Sequence, residues 1–321
     1  MKLKLLILTL SVTLLPWCTR AEEGSTGHYV PGATADFIDA LPGKPGPAAV
    51  NFLTFYNGGA GAGRSFEFGV HLALGVESTV YADTVALLYE TPQLPILGAS
   101  YAVSAAIPFV WMEIKAQTEL TGPGGRVLQH NVRDTASGLG DIAFSPFMLG
   151  WTQLNGDLKY DVRMSVYAPT GSYDVNQLAN PGINYWTFEP GFFLSWLSSK
   201  IGTEVSFFSA LDFSTTNNTT DYQSGAVFHI DATVAQHLPL LGGLIGIGAN
   251  AFYYQQISAD SGSGARLGSF EGRTEGIGPV LSYARKIGKM DLAAEVKWLP
   301  ELNVENRLKG DYVWFKVALV F

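Results

Sequence analysis

The sequence predicts an all-β protein: a transmembrane, antiparallel, up-and-down β-barrel of about 12 strands (range 10–14), with an N-terminal plug or tail. Three observations lead there. The chain is 47% hydrophobic and only 15% charged, against roughly 25% charged in an average globular domain. After residue 21, no stretch approaches the ~20 apolar residues that a spanning helix needs. Segment after segment alternates apolar with polar residues, which is the period of a strand and not of a helix. A chain this apolar, without a spanning helix, satisfies its backbone in lipid only as a closed barrel.

Residues 1–21 read as a signal peptide. Lys2 and Lys4 make a positive start, Leu5 to Leu15 a short apolar run, and Thr19 and Ala21 place small residues before a cut ahead of Glu22. Trp17 is too large to precede a lipidated Cys18. Cleavage removes Lys2, Lys4, Arg20 and the single cysteine, which takes Lys+Arg from 20 to 17 against 28 Asp+Glu. A thiol-free, acidic chain excludes disulfides and cysteine–metal sites, and it lacks the basic face of a nucleic-acid binder.

Residues 22–46 precede the barrel and are rich in Gly and Pro, so they form either a periplasmic tail or a plug. Tyr29, Val30, Phe37, Ile38 and Leu41 have no use in a hydrated tail, and the prolines keep the segment out of a central strand. The barrel itself is assigned to residues 47–321. Its expected strands are 48–56, 76–90, 99–115, 139–150, 157–169, 184–197, 201–213, 221–237, 243–257, 272–286, 289–299 and 311–321. In 157–169, Leu158, Tyr160, Val162, Met164, Val166 and Ala168 face lipid, while Asp157, Lys159, Asp161, Arg163 and Ser165 face inward. In 201–213, Ile201, Val205, Phe207, Leu211 and Phe213 oppose Glu204, Ser206 and Asp212. In 221–237, Tyr222, Phe228, Ile230 and Val234 oppose Asp221, Gln223, His229, Asp231 and Thr233. In 289–299, Asp291, Glu295 and Lys297 point inward. The last strand sets Val313, Phe315, Val317, Leu319 and Phe321 outward and Tyr312, Trp314 and Lys316 inward. It is expected to pair with the first strand and leave no open edge.

Connections alternate between short and long, which places short turns and both chain ends in the periplasm. The long ones are expected near 116–138, 170–183, 214–221, 257–271 and 300–310. Residues 65–78 alternate well but join the next strand without a turn, so they either extend it or form a separate element. Pro279 is expected to mark a bulge.

Several look-alikes of known sites fall away. Gly58 to Ser65, "GGAGAGRS", has Arg64 where a phosphate loop needs lysine, and no helix pattern follows. "GSGARLG" is loop chemistry. His229 and Asp231 share a face, but a metal site needs three or four convergent ligands, so no metal is expected. Bands of Trp and Tyr, such as Trp186, Trp196, Trp298 and Tyr160, fit interface girdles. No nucleophile–base spacing stands out, so neither catalysis nor a cofactor is expected.

The stretches "YVPG" (29–32), "GLGDIAFSPFMLGW" (138–151), "YAPTGSYD" (167–174), "LANPGINYWTFEP" (178–190), "TDYQSGAVFHID" (220–231) and "QISADSGSGARLG" (256–268) carry a resemblance. They are similar to exported proteins named for the meta-cleavage pathway of phenol degradation, a family distantly similar to long-chain fatty acid outer-membrane channels. The resemblance implies an outer-membrane location in a Gram-negative cell and an association with aromatic catabolism.

The expected function is an outer-membrane channel for uptake of small hydrophobic compounds, aromatic ones among them. A barrel of about 12 strands lies between the side-chain-filled eight-stranded and the water-filled 16-stranded kinds. The expected lumen lining is Asp161, Arg163, Phe193, Glu204, Phe208, His229, Asp231, Asn250, Phe252 and Tyr254, with Asp161–Arg163 and Glu204–Asp231 as polar groupings. Phe321 is the expected assembly signal. Expected partners are outer-membrane lipid and lipopolysaccharide, the barrel-assembly machinery and a small hydrophobic substrate, with no nucleic acid. A general porin, or a structural or adhesive barrel without transport, are the alternatives.

Overall fold

A computed structural model describes residues 27–61, 65–69, 71–94, 97–121, 127–268 and 271–321. The expected signal peptide lies outside the described residues, as do residues 22–26.

The strands are β1 (Gly46–Gly59), β2 (Ser65–Phe68), β3 (His71–Glu90), β4 (Ser100–Thr121), β5 (Val127–Leu139), β6 (Ile142–Gln153) and β7 (Leu158–Ala168). They continue with β8 (Thr187–Leu197), β9 (Thr203–Ser214), β10 (Val227–Leu240), β11 (Gly243–Gln256), β12 (Arg273–Ile287), β13 (Met290–Glu305) and β14 (Lys309–Val320). All pairings are antiparallel. β1 pairs with β3 on one side and with β14 on the other, from Ala48↔Val320 to Gly59↔Lys309, which closes the sheet. The outer half of β4 pairs with β5 and its inner half with β6, so β5 and β6 share one position, broken at Gly140–Asp141. With β2 folded back on β3, the ring has 12 positions. No helix of the described residues is long and apolar enough to cross a membrane.

Several elements differ from expectation in instructive ways. Residues 65–78 do both things their pattern allowed: His71 onward extends β3, while Ser65–Phe68 returns on it as a hairpin. The expected long loop at 116–138 is mostly strand, because alternation runs on past the rim. Its β4–β5 ladder continues to Thr121↔Val127, braced by Arg133 Nε donating to Glu113 at 2.9 Å. Gly58 and Gly59 belong to β1 and not to a loop, and residues 62–64 lie outside the described residues. Residues 221–226 alternate but are not in β10. Asp221 takes a left-handed φ of 54°, and Tyr222 turns inward to donate to Asp260. Residues 184–186 likewise precede β8. Pro279 keeps its register with Ala249, and the shift against β13 falls instead between Glu275 and Gly276.

The two faces separate as the alternation requires. Val205, Phe213, Val234, Ile247, Leu281, Val296 and Phe315 are exposed on the outside, while Glu204, Ser206, His229, Asp231, Thr233, Glu295, Lys297, Trp314 and Lys316 are buried inside. An exposed apolar band this wide far exceeds what a water-facing monomer carries, so the outer wall is built for lipid. Described residues 27–45 are not part of the sheet and lie inside the ring.

The seam generates the first prediction. Phe321 is 46% exposed, and its N–H donates to Pro47 O at 3.1 Å. Phe321→Asp is expected to lower the amount of heat-modifiable, folded barrel in membrane fractions; an unchanged amount contradicts its place on the closing strand. The register of β10 generates the second. Ile230→Arg is expected to destabilise the barrel by roughly 2–4 kcal/mol if it lies near the bilayer midplane. Ile230→Leu is expected to leave urea unfolding in lipid unchanged.

Candidate functional site: the lumen

One rung of cross-strand neighbours organises the interior. Asp161 on β7 stands opposite Phe193 on β8, Phe193 opposite Phe208 on β9, Phe208 opposite Asp231 on β10, and Asp231 opposite Phe252 on β11. The row ends at Gly276 on β12, where an added Cβ would meet the Phe252 ring at 2.4 Å. Gly191 makes the same room beside Phe208, at 2.6 Å. Five of the expected lining residues thus form a single band, and all five are buried.

The other five flank it. Arg163 donates to both oxygens of Asp161, at 2.7 and 2.6 Å, and its guanidinium lies 5.2 Å from the Phe193 ring centre and 5.5 Å from that of Phe208. Asn250 donates to Thr233 at 2.8 Å. Tyr254 lies under Arg307, 4.1 Å from its ring centre. His229 pairs in register with Tyr254. Glu204 does not join Asp231: the register sets Ala235 opposite it, and it pairs with His237 at 2.6 Å and accepts from Ser206 at 2.8 Å. The expected Glu204–Asp231 grouping is therefore wrong, because a four-residue separation along a strand is about 13 Å.

Residues 27–45 run the length of this interior. At the outer end His28 contacts Thr187 at 2.8 Å and Asp141 at 3.1 Å and stacks on Tyr167. Tyr29 stacks on His229 with ring centres 3.8 Å apart and donates to Asp231 at 3.0 Å. The Gly32 N–H also donates to Asp231, at 2.8 Å, and Trp314 donates to Pro31 O at 2.9 Å. Gly32 has φ +83°, and an added Cβ would strike Leu299 at 2.1 Å, so this close approach needs glycine. Lower down, Ala35 and Ala40 pack with Phe193 and Phe208, and Leu41 packs with Ala102 and Met148. At the rim that carries the short turns, Gly43 donates to Glu90 at 2.8 Å and Lys44 to Lys289 O at 2.8 Å.

The firmest attachment is ionic. Asp36 caps the short turn Phe37–Asp39 with one oxygen and accepts from Lys297 at 3.0 Å and Lys316 at 2.7 Å with the other. Lys316 also donates to Asp39 at 3.0 Å, and Lys297 pairs with Glu295 at 2.9 Å. Three carboxylates therefore face two ammonium groups. Higher up, His229 Nε2 faces Asp212 Oδ1 at 3.3 Å and Glu189 Oε2 at 3.5 Å. Glu189, Asp212, Asp36, Lys297 and Lys316 escaped the sequence-level site. The inward parity of Lys297 and Lys316 was readable, and a buried lysine requires a carboxylate partner.

The external loops close over the outer mouth. Asp141 accepts from the Gly171 and Ile183 N–H groups at 2.8 Å each, and Asp134 accepts from Leu178 and Ala179. Beneath the β7–β8 loop lies an apolar cavity of about 50 Å³, lined by Phe68, Met112, Ile114, Tyr173, Leu178 and Leu308 among others.

Comparisons with known proteins agree with this architecture. The family model described as "Putative MetA-pathway of phenol degradation" matches residues 55–317. The crystal structure of the COG4313 outer membrane channel from Pseudomonas putida F1 superposes with a TM-score of 0.58 at 14% identity, covering 91% of this chain and 100% of that one. The β domain of the Bordetella autotransporter BrkA gives a TM-score of 0.43 at 11% identity, covering 85% and 99%. No curated protein matches the sequence.

Proposed function

This chain belongs to the putative MetA-pathway of phenol degradation family, and from that membership and its filled lumen we propose that it is an outer-membrane channel admitting small hydrophobic compounds, aromatic ones among them. The observation that carries the reading is the course of residues 27–45. They occupy the ring from His28 near the outer mouth to Lys44 at the periplasmic rim, yet contribute no strand to it. A segment held by hydrogen bonds and ion pairs, outside the ladder, moves without unfolding the barrel. In this reading it is a plug, and passage requires its displacement.

The lining suits such a cargo. Phe193, Phe208, Phe252 and Tyr254 give apolar walls, and Asp161 with Arg163, Glu204, His229, Asp231 and Asn250 give a few fixed polar groups. Drug-sized or smaller ligands favour that mixture. A general porin is disfavoured because it keeps an open aqueous lumen. The apolar outer band is proposed to meet outer-membrane lipid and lipopolysaccharide. The strand ending at Phe321 is proposed to be read by the barrel-assembly machinery.

Deleting residues 24–44 tests the reading. The truncated barrel is expected to remain heat-modifiable, to raise single-channel conductance several-fold, and to admit phenol and alkylbenzenes into liposomes faster than the full chain. A folded deletion variant with unchanged conductance and unchanged uptake overturns the channel in favour of a structural or adhesive barrel.

A further inference from the structure

The upper lumen holds three buried side chains that the ion pairs of the N-terminal segment leave unused. Glu189 on β8, Asp212 on β9 and His229 on β10 are buried, and each directs one ligand atom to a common point, all within 4.8 Å of one another. The sequence offers His229 only Asp231 as a companion on its own strand. The fold supplies two other carboxylates from two other strands.

The spacing of these atoms is informative. An imidazolium donating to a carboxylate settles at about 2.7–2.9 Å. Here His229 Nε2 stands 3.3 Å from Asp212 and 3.5 Å from Glu189, too far for either to be a strong charged hydrogen bond. Donor atoms about 2.0–2.2 Å from a tetrahedral zinc ion lie roughly 3.3–3.6 Å from each other. Both separations from His229 match that edge, and the ligand atoms of Glu189 and Asp212 lie within 4.8 Å of each other.

The surroundings agree. Tyr167 OH donates to Glu189 at 3.1 Å, and Ser165 bonds it too, so the carboxylate is oriented by neighbours as metal-bound carboxylates are. Tyr29 stacks on the His229 ring and fixes its plane. Lys297 and Lys316 are engaged with Asp36, Arg163 with Asp161, and Arg307 lies over the Tyr254 ring at 4.1 Å. Buried carboxylates at Asp141, Glu189, Asp212 and Asp231 make this end of the lumen strongly acidic, and a bound dication offsets such charge.

We propose that Glu189, Asp212 and His229 form a binding site for a divalent first-row transition-metal ion of zinc type, set in the lumen wall. One imidazole and two carboxylates suit Zn²⁺ among the available first-row ions, and they select against the soft ions that require thiolate. Because Tyr29 covers His229, the site ties the metal to the N-terminal segment. The proposal stands whether or not the barrel transports anything.

The test uses the full-length, chelator-stripped protein in detergent, titrated with Zn²⁺ by calorimetry and with Co²⁺ by visible absorption. One saturable Zn²⁺ per chain is expected, together with Co²⁺ bands of low-symmetry four-coordinate intensity. Glu189→Gln, Asp212→Asn and His229→Gln, each shown to be folded by heat-modifiability, are expected to weaken Zn²⁺ binding at least about tenfold. The absence of saturable Zn²⁺ binding overturns the site and leaves His229 as an imidazolium shared by two carboxylates. Wild-type affinity in all three folded variants overturns it equally.

Discussion

The hydrogen-bonded seam between β1 and β14 is the constraint on which everything else rests. In a medium without water every strand must find two neighbours, and Ala48↔Val320 through Gly59↔Lys309 supplies the last missing pairing. Closure turns alternate residues of every strand into a lining. With 12 positions in the ring, that lining is wider than side chains alone fill. Residues 27–45 occupy the remaining space. Their backbone has no ladder to join, so its polar groups are met by inward side chains: Asp231 takes the Gly32 N–H, Trp314 takes Pro31 O, and Lys297 takes Gly32 O.

Charge gives this packing its register. Lys297 and Lys316 sit on neighbouring strands two rungs apart, Glu295 facing Lys316 and Lys297 facing Trp314. Asp36 reaches both from the segment. A buried pair of this kind adds little net stability over an apolar packing, but leaving one partner alone costs roughly 3–5 kcal/mol. Sliding the segment by one residue takes Asp36 from both ammonium groups and Asp39 from Lys316, leaving two lysines with the single wall carboxylate Glu295. The alternative alignments are thereby excluded, while purely apolar contacts such as Leu41 on Met148 tolerate some shift.

The ring was legible in the sequence because parity is a local property. Residues 157–169 and 311–321 show their faces without reference to any other strand; the described burial follows them through the last strand, while Val166 and Ala168, expected to face lipid, are buried. What parity lacks is register. Asp161, Phe193, Phe208, Asp231 and Phe252 each read as inward, but that they form one rung depends on four separate alignments. For the same reason Glu204 was joined to the wrong partner, and Glu189 and Asp212 were not joined to His229. Alternation also overreached at 221–226, where Tyr222 sits in a single backbone bridge with Asn217 and donates its hydroxyl to Asp260, outside β10. It was undervalued at 116–138, where Gly and Pro at the tip disguised a tall hairpin.

The attachment of Asp36 to Lys297 and Lys316 spans 261 and 280 residues of chain. Contacts so distant in sequence form slowly, since the entropy of closing the intervening chain is lost before they reward it. The segment emerges ahead of every strand, but both its lysines belong to the last two. Its contacts with Asp231, Phe193 and Met148 involve earlier strands, but its ionic attachment is complete only when the final hairpin is in place. Sealing the wall and anchoring the segment thus draw on the same two strands.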